Sequence, residues 1–257
     1  HLSNLVHTVY ERFDVFLNRS VPMVRPSFVI QSGDITHAKD SNAFPPRSDQ
    51  KLHEWVKYKE LLQKYGMFNP EFWIDLRGNH DNMGVRSLSD SSNYFQKYGV
   101  MGTFINDTHN ERVYSFTHAS PSGKRYSFLL MDISEAPGLN YPIDVFPLIS
   151  FRSQNIKQQL LAKLKELKSS EQIVLVGHYP ISTFYNRREF YDLIQCVPEA
   201  KVSTYLTGHY HLRNMYNRFS SGLLELEVAD FKYKSVFRVM AVDNGVISFT
   251  DTDIDND

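Results

Sequence analysis

A single cysteine, Cys196, stands in 257 residues, so no internal disulfide is possible and the fold must rest on its core. A lone thiol fits a reducing compartment and does not exclude a secreted one. Beside Val197 it reads as a small, half-buried hydrophobe. No apolar run approaches the ~18 residues of a membrane-crossing helix, so these residues are expected not to span a bilayer. No signal-peptide pattern is visible either. An excess of positive charge is also missing. Lys and Arg number 28 against 29 Asp and Glu, a formal net charge of −1, with no basic block. A nucleic-acid-binding surface should show as a basic excess or stripe, so no nucleic-acid partner is expected.

What is present is ample material for a core: 42% of the residues are apolar and 14% of the chain is aromatic, against 22% charged. Leu5, Val9, Arg12, Phe13 and Phe16 stand at helical spacing, and the stretch from Pro22 to Pro26 should end that helix. Ser27 to Ser32 reads as a buried strand stopped by Gly33-Asp34. Asp49 to Tyr65 reads as a helix closed by Gly66, and Phe72 to Arg77 as a strand running into Gly78. A short helix over Ser91 to Tyr98 should follow. Arg112 to Thr117 and Lys124 to Ile133 then pattern as a hairpin around Pro121-Ser122-Gly123. Ser134 to Pro147 is a long loop and therefore a functional suspect.

Ser153 to Lys168 places Ile156, Leu160, Leu164 and Leu167 on one helical stripe. Ile173 to Val176 and Val202 to Thr207 are strands, each entering a Gly-His pair. Three further strands close the chain: Leu223 to Asp230, Val236 to Val242 and Val246 to Thr250, the last two joined at Asp243-Asn244-Gly245. Strand–helix alternation followed by strands alone predicts two sheets face to face with helices outside. No repeat or linker interrupts residues 1–257, which are expected to form one domain.

Four of these strands end in glycine plus a candidate ligand: Gly33-Asp34, Gly78-Asn79, Gly177-His178 and Gly208-His209. Glycine lets the chain turn sharply, so that the next side chain can enter a shared site. Loops after strand carboxyl ends are also where open α/β sheets bind ligands. Asn, His and Asp together are the donors that a two-metal hydrolytic centre uses. Asp34 is the one carboxylate of the set and hence the natural bridge. Asn79, His178 and His209 would complete one ion's ligands, and His211 would reach its neighbour. Two divalent cations (Mn, Fe, Zn or Mg suit these donors) would acidify a shared water and neutralise phosphoryl oxygens. His80 is then the proton donor to the leaving oxygen, with Asp81 fixing its tautomer. His37 could approach the site from beyond Asp34. Arg77, Tyr179, Arg187, Arg188 and Tyr210 flank the motifs and could equally contact substrate or pack.

Gly33-Asp34, Gly78-Asn79-His80-Asp81, Gly177-His178 and Gly208-His209-Tyr210-His211, in that order, resemble the motifs of calcineurin-like metallophosphoesterases. Asp75 to Asn82 and Leu224-Glu225-Leu226-Glu227-Val228 resemble a narrower group, transmembrane protein 62 with its plant and protist relatives. The resemblance implies an α/β four-layer αββα sandwich of two mixed sheets, and attachment to a membrane, on an unassigned side, through segments outside this chain. The family opens with Asp-x-His, of which His1 looks like the second half. The resemblance therefore makes His1 a metal ligand and implies a trimmed first strand and an N-terminally truncated domain. Gly-Asn-His-Asp differs from the Gly-Asn-His-Glu of Ser/Thr phosphatases, and no Asp-Arg-Gly follows Asp34, so phosphoproteins are not expected substrates. The expected activity is hydrolysis of small phosphomono- or phosphodiesters by a hydroxide bridging two metals. The alternative is a metal-binding interaction domain of a membrane protein with weak or no catalysis.

Overall fold

The computed structural model of the chain describes residues 2–40, 47–85, 87, 89–105, 111–133, 154–167, 170, 172–184, 187–211, 214–231 and 235–254. Its centre is a six-stranded sheet. A hairpin of β5 (Val113–Ala119) and β6 (Arg125–Met131) leads into β7 (Gln172–Val176) and β8 (Val202–Thr207). The order is completed by β10 (Leu224–Glu227) and, at the far edge, β9 (Met215–Arg218). β6, β7, β8 and β10 run parallel, while β5 and β9 pair antiparallel at the two edges. The expected strand-to-loop junctions at His178 and His209 therefore open at the same end of the sheet.

Alternation along the strands sorts side chains to two faces, each buried for a different reason. Leu129, Met131, Ile173, Leu175 and Tyr205 pack with Ile156, Leu160 and Leu164 of α6 (Gln154–Glu166) and with Phe190 and Ile194 of α7 (Arg187–Gln195). Tyr126, Phe128, Leu130, Val174 and Val176 point the other way. They meet Ile74 and Leu76, which lie on and just beyond β4 (Trp73–Asp75), and Ile30 of β1 (Val29–Gln31). Met240, Val242 and Ile247 of the hairpin β11 (Val236–Asp243) and β12 (Val246–Asp253) join the same cluster. β1 and β4 are parallel and β11 and β12 antiparallel, so the second β layer is also mixed.

A third apolar cluster covers the outer side of that layer. Val29 and Trp73 meet Phe13, of α1 (Leu2–Val15), and Tyr58, Leu61 and Leu62, of α3 (Leu52–Lys64). Three apolar interlayer spaces define four layers, α–β–β–α, as the sequence pattern and the resemblance imply. Near the site, β2 (Lys39–Asp40) and β3 (Arg47–Ser48) form a two-residue ladder, and α4 (Phe95–Tyr98) and α5 (Val100–Phe104) follow β4.

The structure amends the sequence pattern at several points. Helix ends within the stretch from Pro22 to Pro26, as expected, but runs through Pro22 itself: a π-helical turn over Phe16–Ser20 passes into α2 (Val21–Val24), with Pro22 in its first turn. Pro22 offers no N–H, and it follows directly on the π turn, whose wider ladder ends with the Val21 N–H on Phe16 O. The stop is Arg25, in the left-handed conformation at φ 51°, just before Pro26. β9 and α7 had no sequence assignment. Cys196 is exposed rather than half-buried, its thiol reaching Leu193 O at 2.9 Å. His1, and the long loop expected over 134–147, lie outside the described residues.

Candidate metal centre

The centre forms where two parallel strand ends interlock. β1 delivers Gly33-Asp34 and β4 delivers Gly78-Asn79-His80. Only glycine fits at two of these positions. A Cβ on Gly78 would stand 2.1 Å from Asp34 Oδ1, and one on Gly33, already at φ 104°, would stand 2.7 Å from His178 Nδ1. Asp34 itself is left-handed, φ 54°, which turns its carboxylate back across the β4 loop. There Oδ1 accepts the His80 N–H at 3.0 Å.

Oδ2 of Asp34 has no hydrogen-bond donor among the described residues, although it is buried. Around it stand His178 Nε2 at 3.3 Å, His211 Nε2 at 3.8 Å and His80 Nε2 at 3.9 Å. On the other side of His178, Asn79 Oδ1 lies 3.0 Å from Nε2 and 3.1 Å from His209 Nδ1, and those two nitrogens are 3.3 Å apart.

Tautomers decide what this convergence means. His178 Nδ1 meets the Ser32 carbonyl at 2.9 Å, and a carbonyl can only accept, so Nδ1 carries the hydrogen. In neutral His178 the Nε2 is then a lone pair, facing an amide oxygen and a carboxylate. His80 repeats the arrangement: Nδ1 donates to His37 O at 2.6 Å, which leaves Nε2 for the site. Acceptors facing acceptors at about 3 Å repel unless a cation lies between them. Asp34 with His178 and His209, and Asp34 with His80 and His211, each bring ligand atoms within 4.8 Å of one another. The donor set, imidazole nitrogens with a carboxylate and an amide oxygen, suits divalent metal ions, and the two groups share Asp34.

The local charges follow. Burial would raise the Asp34 pKa, but His178 and His80 reverse this and hold it well below the usual carboxylate range. Burial pushes His178 downward and is outweighed by Asp34, so its pKa is raised. His211 is raised too, first through Asp34 and then through Asp230, whose Oδ2 is 3.5 Å from His211 Nδ1. His209 is pushed down to about 4, by burial and then by His178.

Six sequence candidates thus converge: Asp34, Asn79, His80, His178, His209 and His211. Others are placed differently. Asp81 does not touch His80; its carboxylate folds back to accept Gly78 N (2.8 Å) and crosses to Ile35 N (3.1 Å), Thr36 N (3.0 Å) and Thr36 Oγ1 (3.1 Å). It fastens the two glycine loops together, and the His80 tautomer is set by the His37 carbonyl instead. The reason is the 3₁₀ turn His80–Asn82, which sends successive side chains to different sides. The His37 ring stacks on His80, centroids 5.7 Å apart, and the His37 backbone N–H donates to Glu54 Oε2 at 3.0 Å.

Arg77 is turned away from the centre. It is 3% exposed, and its guanidinium is bonded to Asp132 between the β layers. Tyr179 is buried against the His178 and His209 rings at 4.9 and 5.0 Å, and Tyr210 stands half-buried beside His209 at 5.4 Å. Arg187 bonds to Ser182 O, and Arg188 pairs with Asp192 in solvent. Sequence reasoning missed Ser32, Glu54 and Asp230, because orienting groups of this kind carry no fixed spacing.

A four-layer αββα fold with a carboxylate–imidazole cluster at its strand ends defines the metallophosphoesterase class of hydrolases. Within that class, a calcineurin-like phosphoesterase profile matches residues 6–213, and the chain belongs to this family. Family membership implies divalent metal ions. Transmembrane protein 62 of Mus musculus is 27% identical over 245 residues, 93% of this chain and 36% of its own length. An Arabidopsis thaliana protein bearing the metallophosphoesterase name is 24% identical over 286 residues, 94% of this chain and 37% of its own. The chain therefore spans little more than a third of these relatives. The crystal structure of a Candida albicans 5′-nucleotidase superposes at TM-score 0.52 and 15% identity, covering 95% of this chain and 47% of that one, a likeness of fold. None of the described helices is long and apolar enough to cross a membrane.

Proposed function

We propose that this chain hydrolyses small phosphomono- or phosphodiesters at two divalent cations bridged by Asp34, with His80 donating the proton to the leaving oxygen. One observation carries the reading: the buried, donor-less Asp34 Oδ2 faces three imidazole nitrogens at 3.3–3.9 Å. Asn79, His178 and His209 would hold one ion with Asp34. His211 would hold the other, and His1 is proposed as a further ligand. Bound there, the cations supply the charge that acidifies water and neutralises phosphoryl oxygens.

The chain's own part is orientation and proton supply. His178 and His80 are each fixed by a backbone carbonyl, so both present Nε2 inward at no reorganisation cost. When the P–O bond breaks, the departing oxygen needs a proton. His80 would give it from Nε2 as the imidazolium: Nδ1–H stays on His37 O, the Nε2 proton passes to the departing oxygen, and the ring is left neutral. Net charge of −1 supports small esters over nucleic acid. The likeness to transmembrane protein 62 supports membrane attachment of the whole protein through sequence outside this chain.

The test uses Mn²⁺ and two phosphate esters that differ in leaving group. A proton donor matters most where the leaving oxygen is basic. His80→Ala should lower kcat by about 10²–10⁴-fold on an alkyl ester and far less on a nitrophenyl ester. Equal losses on both would remove the proton-donor role. A wild-type protein that binds Mn²⁺ and cleaves neither ester class would instead be a metal-binding domain.

A further inference from the structure

The strand β10 carries two glutamates with no role in the chemistry above. Glu225 and Glu227 are 2% and 3% exposed, two positions apart on one strand and so on one face of it. Burying two like charges side by side is costly unless each is engaged. Burial and then Glu225 push the Glu227 pKa up to about 7. Such a pair needs a reason.

Each glutamate faces the backbone of a different histidine loop. Glu225 Oε1 accepts Ile181 N at 2.6 Å, at the foot of the loop His178-Tyr179-Pro180, and its Oε2 accepts Asn217 Nδ2 at 3.2 Å. The Glu227 carboxylate lies against the Tyr210 N–H, between His209 and His211, and its Oε1 has no partner among the described residues. That second loop is strained. His209 has φ 75°, and Tyr210 N also reaches back to Gly208 O at 3.0 Å, a positive-φ γ-turn centred on a ligand histidine. Positive-φ γ-turns are rare and persist only where the surroundings hold them, typically at functional sites. The carboxylate behind Tyr210 is such a hold. In register, Glu225 stands beside Tyr205 and Glu227 beside Thr207, so β10 reaches both loops from the adjacent strand.

We propose that Glu225 and Glu227 are positioning residues with separate charges: Glu225 sets His178, and Glu227 sets the turn that aims His209 and His211. The assignment rests on the metal-centre reading and adds the selectivity of each glutamate. His178 belongs to one ligand group only, whereas His209 and His211 fall one in each. Loss of Glu225 therefore weakens one ion's site, and loss of Glu227 weakens both.

Glu225→Met and Glu227→Met fill the space and remove the acceptor, while the Gln variants keep an oxygen that can accept the N–H. In the metal-stripped full-length protein, the ¹⁵N imidazole resonances of His178 should move in E225M and those of His211 in E227M, with the Gln variants near wild type. Mn²⁺ titration should show one of two binding steps weakened about 10–100-fold in E225M and both in E227M. Where a Met variant does not fold, Glu225→Asp or Glu227→Asp, with the carboxylate drawn back by one methylene, should give the same pattern. Identical resonance shifts in both variants, or both sites weakened equally by each, would make the pair general structural support and overturn the assignment. A wild-type protein that takes up no Mn²⁺ while the resonance pattern holds would sink the metal reading and leave the positioning roles standing.

Discussion

Three buried aspartates show how placement, and not residue type, sets chemistry here. Asp34 lies among imidazoles and is held ionised. Asp81, under burial and then the Asp34 charge, is raised to about 7 and serves as a four-contact clasp between loops. Asp75, on the helix-facing side of β4, accepts Val100 N, Met101 N and Tyr58 Oη at 2.7–2.9 Å. Burial still outweighs these bonds and lifts its pKa from 3.8 to about 6. An acid whose pKa is raised by folding binds its proton more tightly in the folded state. Its contribution to stability is full below pH 3.8 and is lost as pH rises through about 6. Against Asp75→Asn, wild type should therefore lose on the order of 3 kcal/mol between pH 4 and 7. Urea denaturation of both proteins across that range measures it, and a difference independent of pH would refute the burial argument. The sequence exposes residues such as Asp34 and His178 because each directly follows an apolar run and a glycine. It hides their orienting partners. Ser32 and His37 act through backbone carbonyls, which any residue owns, and Glu54 and Asp230 come from remote elements. The misreading of Asp81 has the same origin: adjacency to His80 in sequence does not give contact across a 3₁₀ turn.

At the scale of elements, legibility tracks burial. In β7, Ile173 to Val176 is an unbroken apolar run because both faces of the strand meet other layers. The one-faced helix α6 shows its stripe for the complementary reason. β9 reads Met-Tyr-Asn-Arg and is mostly exposed at the sheet edge, so pairing with β10, not patterning, makes it a strand. α7, nine residues long, commits only Phe190 and Ile194 to full burial, too short a stripe to stand out. Packing between the two β layers is aromatic. Phe128, fully buried on β6, stacks on Phe116 at 4.9 Å and 7° and meets the edge of Phe28 at 4.9 Å. Phe128→Ala should cost about 3–5 kcal/mol, since neighbours in a close-packed interlayer space cannot collapse into the void. Phe128→Leu, closer in volume, should cost well under that. A chemical-denaturation loss for the alanine variant of about 1 kcal/mol or less would mean the layers repack freely.

At the scale of the whole molecule, four loops from two different β layers converge on one carboxylate. β1 and β4 bring Asp34, Asn79 and His80, while β7 and β8 bring His178, His209 and His211. A ligand that grips donors from both layers couples those layers, so its binding must appear in global stability. Free cation that binds only the folded chain adds about 2.7 kcal/mol at a hundred times its Kd, worth roughly 5–10 °C in Tm for a chain of this size. Asp34→Asn is the telling control. Asn tolerates the left-handed backbone that Asp34 adopts at φ 54°, so the turn is kept while the bridging charge is removed. Wild-type protein should therefore melt higher as Mn²⁺ is added and return to its starting value with EDTA, and D34N should show little response at the same concentrations. Calorimetry at fixed pH separates the outcomes. An equal rise in D34N would place the cation elsewhere on the molecule, and with it the convergence of both layers on Asp34 would lose its functional meaning.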